Sequence, residues 1–366
     1  MDLTVLGLNA IWVMLAFILV LFMQGGFILL ETGSTRMKNA GHVAGKTIFT
    51  VGLGVLVYWA VGYAFAFGEG NSFIGLDGFF FNPGADESLP PSIFFLFQSA
   101  FAVISLSIAW GGFAERAKLG VYLLFTLFFV GFIYPVIAHW IWGGGFLAED
   151  GAQDFAGSTV VHLTGACAAF AATVLLKPRI GRFNKDGSAN EIPGHNQVYT
   201  ALGVLILWVG WFGFNAGSTV AVDDGFFGFV AFNTHLATGA GAIAALLVSW
   251  AVRGKGDVGT MLNGTLAGLV AITASCAFVD PWAAVVIGLV AGIITVGSMK
   301  MFEKLRVDDP IYALTVHGVA GIWGTLANGL FATEELAAQV GVGQGGLFYT
   351  GDWYQLWVQF ESVVVC

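Results

Sequence analysis

Long apolar segments recur along almost the whole chain, and they restrict its fold more than any other feature. Ten of them lie at about 8–30, 43–67, 93–113, 120–142, 156–176, 197–215, 226–250, 260–278, 282–302 and 311–331. An eleventh begins near Trp353 and is cut off at Cys366. A helix needs roughly 20 apolar residues to cross the hydrocarbon of a bilayer. The pattern therefore predicts an all-α polytopic membrane protein with ten complete spans and a partial one.

Composition supports a membrane setting. Hydrophobic residues make up 57% of the 366 residues and charged residues only 10%, whereas soluble domains average about 25% charged residues. The 52 glycines allow helices to approach closely where no hydrophobic force drives them together. Cys167, Cys276 and Cys366 show no disulfide or metal-site spacing, and we interpret them as small apolar residues.

The loops divide by charge into two alternating sets. One set, with the span ends beside it, holds all 14 basic residues: Arg36, Lys38, Lys46, Arg116, Lys118, Lys177, Arg179, Arg182, Lys185, Arg253, Lys255, Lys300, Lys304 and Arg306. The opposite set has no basic residue, and its charged residues are acids: Asp77, Asp86, Glu87, Glu149, Asp150, Asp223, Asp224, Asp280, Glu334, Glu335 and Asp352. By the positive-inside rule the N-terminus lies outside and the basic loops lie in the cytoplasm. The first segment is too long for a cleavable signal peptide and lacks its basic start.

A weak internal repeat relates two of the segments. Asp154 precedes His162 by eight residues in DFAGSTVVHLTGA, and Asp309 precedes His317 by eight in DPIYALTVHGVAG. Five spans separate the two, so the second crosses the bilayer in the opposite direction. This relation predicts two inverted five-helix repeats, about 8–176 and 197–331, followed by the partial helix at about 353–366.

His162 and His317 are the main candidate functional residues. Ionisable groups inside spans are rare and usually face a cavity or the bundle interior. Each lies about eight residues into its span, and at about 1.5 Å per residue both are near mid-depth. Paired imidazoles can pass a proton or bind a small polar solute. The alternative is two separate core histidines bonded to backbone carbonyls, but the symmetry match favours a shared role.

Other polar candidates have simpler explanations. Asp154 is suited to cap the fifth span, and it can also attract a cation; Asp309 precedes Pro310 and is interpreted as structural. The remaining histidines are assigned to membrane edges or to packing: His42, His139, His195 and His235.

Aromatic residues lie near candidate turns of a pathway: Phe101 in FQSAFA, Trp142 before three glycines, and Phe214 in WFGFNAGS. A ring face can hold a cation by about 0.5–2 kcal/mol.

From residue 8 to its last residue the chain resembles the ammonium transporter family (Amt/Mep, related to the Rhesus proteins). The resemblance rests on dispersed stretches that occur in family order: GGFILLETGSTRMKNA, FGEGN, AERAK, HWIWGGG, DFAGSTVVH, GWFGFNAGS, GTLAGLVAITA and VDDPIYALTVHGVAGIWGT. It implies one ammonium-transporter domain over 1–366, and a homotrimer with a separate pore in each subunit.

The resemblance also implies residue roles. Phe101, Trp142 and Ser218 would recruit ammonium on the outer side, and Phe101 and Phe214 would form a stacked gate beneath them. His162 and His317 would line a hydrophobic pore as twin histidines, and Asp154 would support the outer site. Two departures are visible. Tyr312 stands where the family usually carries an acid, and the chain stops without the cytoplasmic tail through which family members engage PII-type signal proteins, so we expect a fragment.

The function predicted is transport of ammonium or ammonia through a cell (plasma or inner) membrane, with no catalytic residue, cofactor, metal or nucleic-acid partner. An ammonium sensor with the same fold is the alternative, and flux measurements or the sequence after Cys366 would separate the two. A metalloenzyme is disfavoured, because neither histidine has the further ligands at useful spacing that a metal site needs.

Overall fold

The structure, a computed structural model, describes residues 3–84 and 89–366. Two of the predicted outer acids, Asp86 and Glu87, lie outside this range. In the described chain, eight helical segments are long and apolar enough to cross a membrane: Thr4–Ser34, Met37–Phe67, Pro91–Phe113, Leu119–Glu149, Ser158–Leu176, Gln197–Thr219, Phe226–Arg253 and Pro281–Lys304. Three further predicted spans are shorter or interrupted: Val258–Thr273, Leu314–Val319 with Ala320–Phe331, and Tyr354–Val365. The all-α polytopic membrane fold is confirmed.

The α-helices of the described residues are α1 (Leu3–Ser34), α2 (Ala40–Val57), α3 (Tyr63–Phe67), α4 (Pro91–Ala109), α5 (Leu119–Phe128), α6 (Tyr134–Trp142), α7 (Phe146–Glu149), α8 (Thr164–Leu176), α9 (Gln197–Asn215), α10 (Phe226–Arg253), α11 (Val258–Thr273), α12 (Pro281–Lys304), α13 (Ala320–Phe331), α14 (Glu334–Val340), α15 (Leu347–Thr350) and α16 (Tyr354–Val365). Two short strands, β1 (Gly70–Asn71) and β2 (Ile74–Gly75), form an antiparallel hairpin in which Gly70 pairs with Gly75. Small residues bring the long helices together. A Cβ atom on Gly203 of α9 would lie 2.5 Å from the Leu30 nitrogen of α1, so only glycine permits this approach.

Two spans begin with a π-helical turn, and each turn carries one of the candidate histidines. These turns are Ser158–Leu163, which leads into α8, and Leu314–Val319, which leads into α13. Such turns are rare in proteins, and those that do occur are often found at functional sites. Gly157, just before the first turn, has φ 110°, and a Cβ there would lie 2.6 Å from Val161 Cγ2. The turns that carry the two histidines occupy matching positions in the two segments of the predicted repeat.

The structure refines the placement of Lys46, which the charge pattern groups with the loop between the first two spans although it falls at the start of the predicted span 43–67. Lys46 lies inside Met37–Phe67, and its side chain is fully buried. Its Nζ is 2.6 Å from a carboxylate oxygen of Glu31 and 4.1 Å from the centre of the Trp110 ring. A buried charge needs such a partner, because removal from water costs several kcal/mol per ion.

The basic loops meet in an ion-pair cluster formed by Arg36, Glu115, Arg179 and Asp308. Arg179 contacts both acids, at 2.6 Å from Glu115 and 2.8 Å from Asp308, and Arg36 lies 2.8 Å from Glu115. Burial alone would raise the pKa of Glu115, but hydrogen bonds from Arg36 and Arg179 outweigh it and lower that pKa to about 2. The same guanidinium of Arg179 lowers the pKa of Asp308 against the effect of burial. The cluster therefore ties together loops from both predicted halves.

Candidate functional site

The two candidate histidines meet inside the bundle. Nδ1 of His317 lies 3.2 Å from Nδ1 of His162, with ring centres 5.1 Å apart and planes 16° from parallel. His162 is fully buried and His317 is 5% exposed. Their meeting follows from the matched π-helical turns, which direct both side chains to the same place from opposite ends of the bundle.

The Nδ1–Nδ1 contact restricts the protonation states of the pair. Two neutral imidazoles can bond in this way only if one Nδ1 carries hydrogen and the other accepts it. The donor ring then has a bare Nε2, and the acceptor ring has an Nε2–H. Among the described residues, His162 Nε2 has no hydrogen-bond partner. The pair can therefore offer an acceptor on one ring and a donor on the other, and exchange of tautomers reverses them.

Aromatic rings surround the histidine pair. Trp211 of α9 stacks on His162 with ring centres 5.1 Å apart, and its indole nitrogen donates to Thr273 Oγ1 at 2.8 Å. Phe27 of α1 lies 6.5 Å from the His317 ring. Sequence reasoning missed both residues. The spacing of Trp211 and Phe214 by three positions, which places them on one helix face, was the available signal for the first.

Phe101 and Phe214 form the stack that the resemblance implied. Their ring centres are 4.1 Å apart at 24°, and both side chains are buried. Phe214 lies 5.5 Å from His162, and Phe101 lies 5.9 Å from Trp142. The two apolar rings therefore lie between the histidine pair and Trp142.

A cavity of about 140 Å³ lies on the far side of this stack, with walls formed by Phe97, Gln98, Phe101, Trp142, Phe155, Ser218 and Val220. The hydroxyl of Ser218 donates to the Phe214 carbonyl at 2.8 Å, so its lone pairs remain available as acceptors. Gln98 Oε1 is buried and has no partner within the described chain. Sequence reasoning missed Gln98, because a lone glutamine in a span carries no pattern. Acceptors and ring faces together suit a small cation that donates hydrogen bonds.

Asp154 does not line this cavity. Its carboxylate accepts main-chain hydrogen bonds from Gly157, Thr159 and Val160 at 3.1, 2.9 and 2.8 Å. Its carbonyl oxygen accepts the indole N–H of Trp142 at 2.7 Å. Asp154 therefore caps the π-helical turn that carries His162 and also holds Trp142, so the structure favours the capping interpretation over direct attraction of a cation.

The end of the bundle with the basic loops holds a larger cavity of about 460 Å³, whose walls include Asp309 and Tyr312. Asp309 accepts main-chain hydrogen bonds from Ala313 and Leu314 at 2.9 and 2.8 Å, the counterpart of the Asp154 cap. Tyr312 has φ 60° and is 39% exposed. The residue that departs from the family pattern therefore stands in the wall of this second cavity.

The other histidines contact neighbours away from the pair. The ring nitrogens of His139 lie 3.0 and 2.8 Å from the carbonyl oxygens of Ala66 and Asn71, and His195 Nδ1 lies 3.0 Å from that of Thr35. His42 packs on Tyr122, and His235 on Trp208 and Phe212. No group of three or more His, Cys, Asp or Glu side chains within residues 3–84 and 89–366 could hold a metal ion.

Comparison with known proteins gives consistent similarities along the chain. The profile described as Ammonium Transporter Family matches residues 11–366. Ammonium transporter Amt2 of Archaeoglobus fulgidus is 42% identical, over 98% of this chain and 79% of that protein. An ammonium transporter of Bacillus subtilis is 37% identical, over 94% of this chain and 85% of that protein. A solved structure titled Sensor Amt Protein superposes with a TM-score of 0.93 at 38% identity, covering 100% of this chain and 90% of that one. The crystal structure of Candida albicans Mep2 superposes with a TM-score of 0.89 at 29% identity, covering 98% of this chain and 80% of that one.

Proposed function

Since the chain belongs to the ammonium transporter family, we propose that it recruits ammonium in the 140 Å³ cavity and conducts ammonia past the twin histidines. The observation that carries the proposal is the unbroken contact series Trp142, Phe101, Phe214, His162 and His317, with neighbouring ring centres no more than 5.9 Å apart. The series begins at a cavity with hydrogen-bond acceptors and ends at a buried imidazole pair.

Recruitment uses the walls of the cavity. An ammonium ion donates hydrogen bonds, and Gln98 Oε1 and Ser218 Oγ can accept them. The faces of Phe101 and Trp142 attract its charge by about 0.5–2 kcal/mol. A potassium ion of similar size gains the ring attraction but has no proton to give up in the next step.

The stack of Phe101 and Phe214 separates the ion from the histidines. Taking a bare ammonium ion into a low-dielectric interior costs on the order of 20 kcal/mol by an idealised Born calculation. Neutral ammonia avoids that cost, so ammonium gives up one proton to the bare Nε2 of the imidazole pair and ammonia passes the stack alone. Inside, ammonia donates to the bare Nε2 of one imidazole and accepts from the Nε2–H of the other. The ring that takes up the proton at Nε2 passes its Nδ1 proton to the other ring, which releases its own Nε2 proton on the far side, so the pair supplies a separate proton route.

The wider setting follows the same proposal. The protein is a single transporter domain over 1–366, with repeats at about 8–176 and 197–331, in a plasma or inner membrane with its N-terminus outside. It acts as a homotrimer with one pore per subunit, and a cytoplasmic tail beyond this sequence contacts a PII-type signal protein. Asp154 supports the outer site from behind.

An ammonium sensor with little or no transport is the second candidate. It is favoured by the TM-score of 0.93 and the 38% identity to a protein titled Sensor Amt Protein. The same cavity would then bind ammonium while the stacked rings stay closed. Transport remains the better proposal, because the named curated relatives are ammonium transporters.

The test is flux in proteoliposomes, with methylammonium as substrate and potassium as competitor. We expect saturable methylammonium uptake that potassium inhibits only weakly, because potassium cannot donate hydrogen bonds to the cavity, and no passage of potassium itself. Trp142→Leu should raise the half-saturation concentration. Trp140→Leu is a matched control, because its indole nitrogen donates to the Phe73 carbonyl at 2.9 Å and it does not line the cavity. Specific binding without flux would favour the sensor, and equal behaviour of both variants would remove the recruitment role.

A further inference from the structure

A buried glutamine of the last helix pairs with the main chain just before Asp154. Gln359 of α16 is fully buried. Its Oε1 accepts the N–H of Gln153 at 2.8 Å, and its Nε2 donates to the carbonyl of Gln153 at 2.7 Å. One side chain therefore satisfies both main-chain groups of a residue 206 positions earlier in the chain.

The neighbours of this amide fix its orientation. Nε2 of Gln359 also donates to the Thr325 carbonyl at 3.2 Å, and Oε1 also accepts from Gln355 Nε2 at 3.2 Å. Rotating the amide by 180° would turn donors toward donors and acceptors toward acceptors at all four contacts. Only a carboxamide in this orientation satisfies the site, so the interaction is specific for glutamine rather than for any polar residue.

The segment that Gln359 holds has no regular secondary structure of its own. Residues 152–157 lie between α7 and the π-helical turn Ser158–Leu163 without helical or strand bonding. They are fixed from outside, because the last carbonyl of α11 and the one just after it accept from Ala156 and Phe155 at 3.1 Å each. In addition, the Gln359 pair holds Gln153. The next residue, Asp154, then holds the Trp142 indole through its carbonyl.

We infer that Gln359 is a positioning residue for the outer site: it holds Gln153, and thereby sets where Asp154 places the Trp142 ring against the cavity. This inference rests on the proposed recruitment role of that cavity. Gln359 itself does not line the cavity. The last helix therefore acts on ammonium recruitment from behind the loop, without contact to the ion.

The test is Gln359→Leu in the reconstituted protein, with methylammonium as the probe. We expect the half-saturation concentration to rise about fivefold, the factor that corresponds to losing roughly one net hydrogen bond. The maximal rate should stay near that of the unmodified protein. Ser362→Ala is the matched control on the same helix, because among the described residues its buried hydroxyl bonds only within the helix, to the Val358 carbonyl at 2.8 Å.

A purely structural role predicts a different result. Gln359→Leu would then lower the maximal rate or the thermal stability and leave the half-saturation concentration unchanged, which overturns the inference. Should Gln359→Leu fail to fold, Gln359→Met takes its place. It keeps the length of the side chain but has no amide to bond the Gln153 main chain, and it should raise the half-saturation concentration in the same way; an unchanged value overturns the inference.

Trp142→Leu and the double variant separate this inference from the proposed function. If Trp142→Leu leaves half-saturation unchanged, the recruitment site itself is wrong. If Trp142→Leu shifts it and Gln359→Leu does not, only the positioning role is refuted. When both act through the same ring, Gln359→Leu should add almost nothing in the Trp142→Leu background. Full additivity would place Gln359 outside this route and refute the inference.

Discussion

Asp154 offers the most quantitative test of how the site is built. Its carboxylate accepts three main-chain N–H groups at the π-helical turn, from Gly157 at one oxygen and from Thr159 and Val160 at the other. Replacement by alanine removes all three acceptors and leaves the donors buried. Replacement by asparagine keeps a single oxygen. That oxygen can serve the two donors that share one position, and the amide NH2 then faces the Gly157 N–H.

The magnitudes follow from these contacts. Hydrogen bonds to a charged group contribute about 1.5–3 kcal/mol each. Three such bonds give about 4.5 kcal/mol at the lower value, and rearrangement of the turn recovers part of it, so we expect Asp154→Ala to lower the free energy of unfolding by about 3–4 kcal/mol. Asp154→Asn loses one hydrogen bond, and the remaining bonds are made to a neutral oxygen. It should therefore lower the free energy of unfolding by about 2 kcal/mol.

The assay is denaturant unfolding in mixed micelles, followed by circular dichroism. Asp257→Ala is the control, because Asp257 caps α11 through one main-chain N–H, that of Thr260 at 2.8 Å, and lies in a more exposed place. Loss of such a cap costs about 1 kcal/mol. The reasoning is refuted if Asp154→Ala is no more destabilising than Asp257→Ala. It is also refuted if Asp154→Asn unfolds like the unmodified protein but binds methylammonium more weakly, which would indicate direct attraction of the cation.

Three further predictions concern other parts of the structure. His162→Ala and His317→Ala should each alter selectivity against potassium or the proton-coupled component of transport in proteoliposomes while the fold persists; wild-type flux and selectivity in both would refute the twin-histidine mechanism. The pKa of Glu115 is about 2, below its ordinary 4.5, so its ion pairs stabilise the fold above pH 4.5 and lose that effect as pH falls towards 2. Acid unfolding of Glu115→Gln should therefore depend less on pH in this window. An unchanged dependence of unfolding on pH would contradict the lowered pKa of Glu115. Lys46→Met should lower the free energy of unfolding by about 3–5 kcal/mol, because it leaves the Glu31 carboxylate buried and unpaired. Adding Glu31→Gln should recover part of this stability. If Lys46→Met alone is as stable as the unmodified protein, the pair is not charged.

The positions of the spans could be predicted from the sequence, because hydrocarbon length and apolar composition are local properties. The predicted spans correspond closely to helices, although 260–278 begins and ends earlier, at Val258 and Thr273. Four others, 43–67, 120–142, 156–176 and 311–331, contain a π-helical turn. The charge pattern placed Lys46 with the cytoplasmic basic residues, and this placement was incomplete. A charge count cannot show that a lysine turns inward to a carboxylate on the neighbouring helix.

The candidate site could be predicted only in part. His162 and His317 stood out because each is an ionisable residue in an apolar span. The resemblance supplied Phe101, Trp142, Phe214 and Ser218, and the structure brings these together around the outer cavity and the stack. Their roles stay predictions until flux is measured. Gln98 was missed because a lone glutamine carries no pattern, and Trp211 was missed because its three-residue spacing from Phe214 does not stand out among so many aromatic residues.

The sequence by itself determined that this chain lies in a membrane as a helical bundle, that its basic loops share one side, and that two matched acid–histidine segments occur in opposed spans. These properties depend on residues that are neighbours in the chain. Only the tertiary structure decided that the two imidazoles, 155 residues apart, lie 3.2 Å from each other, that the Asp154 carboxylate turns toward the helix end, and that Gln359 holds the loop before it. Such contacts depend on how whole helices pack, because the distance between two side chains far apart in the chain is determined by the positions of all the helices that separate them.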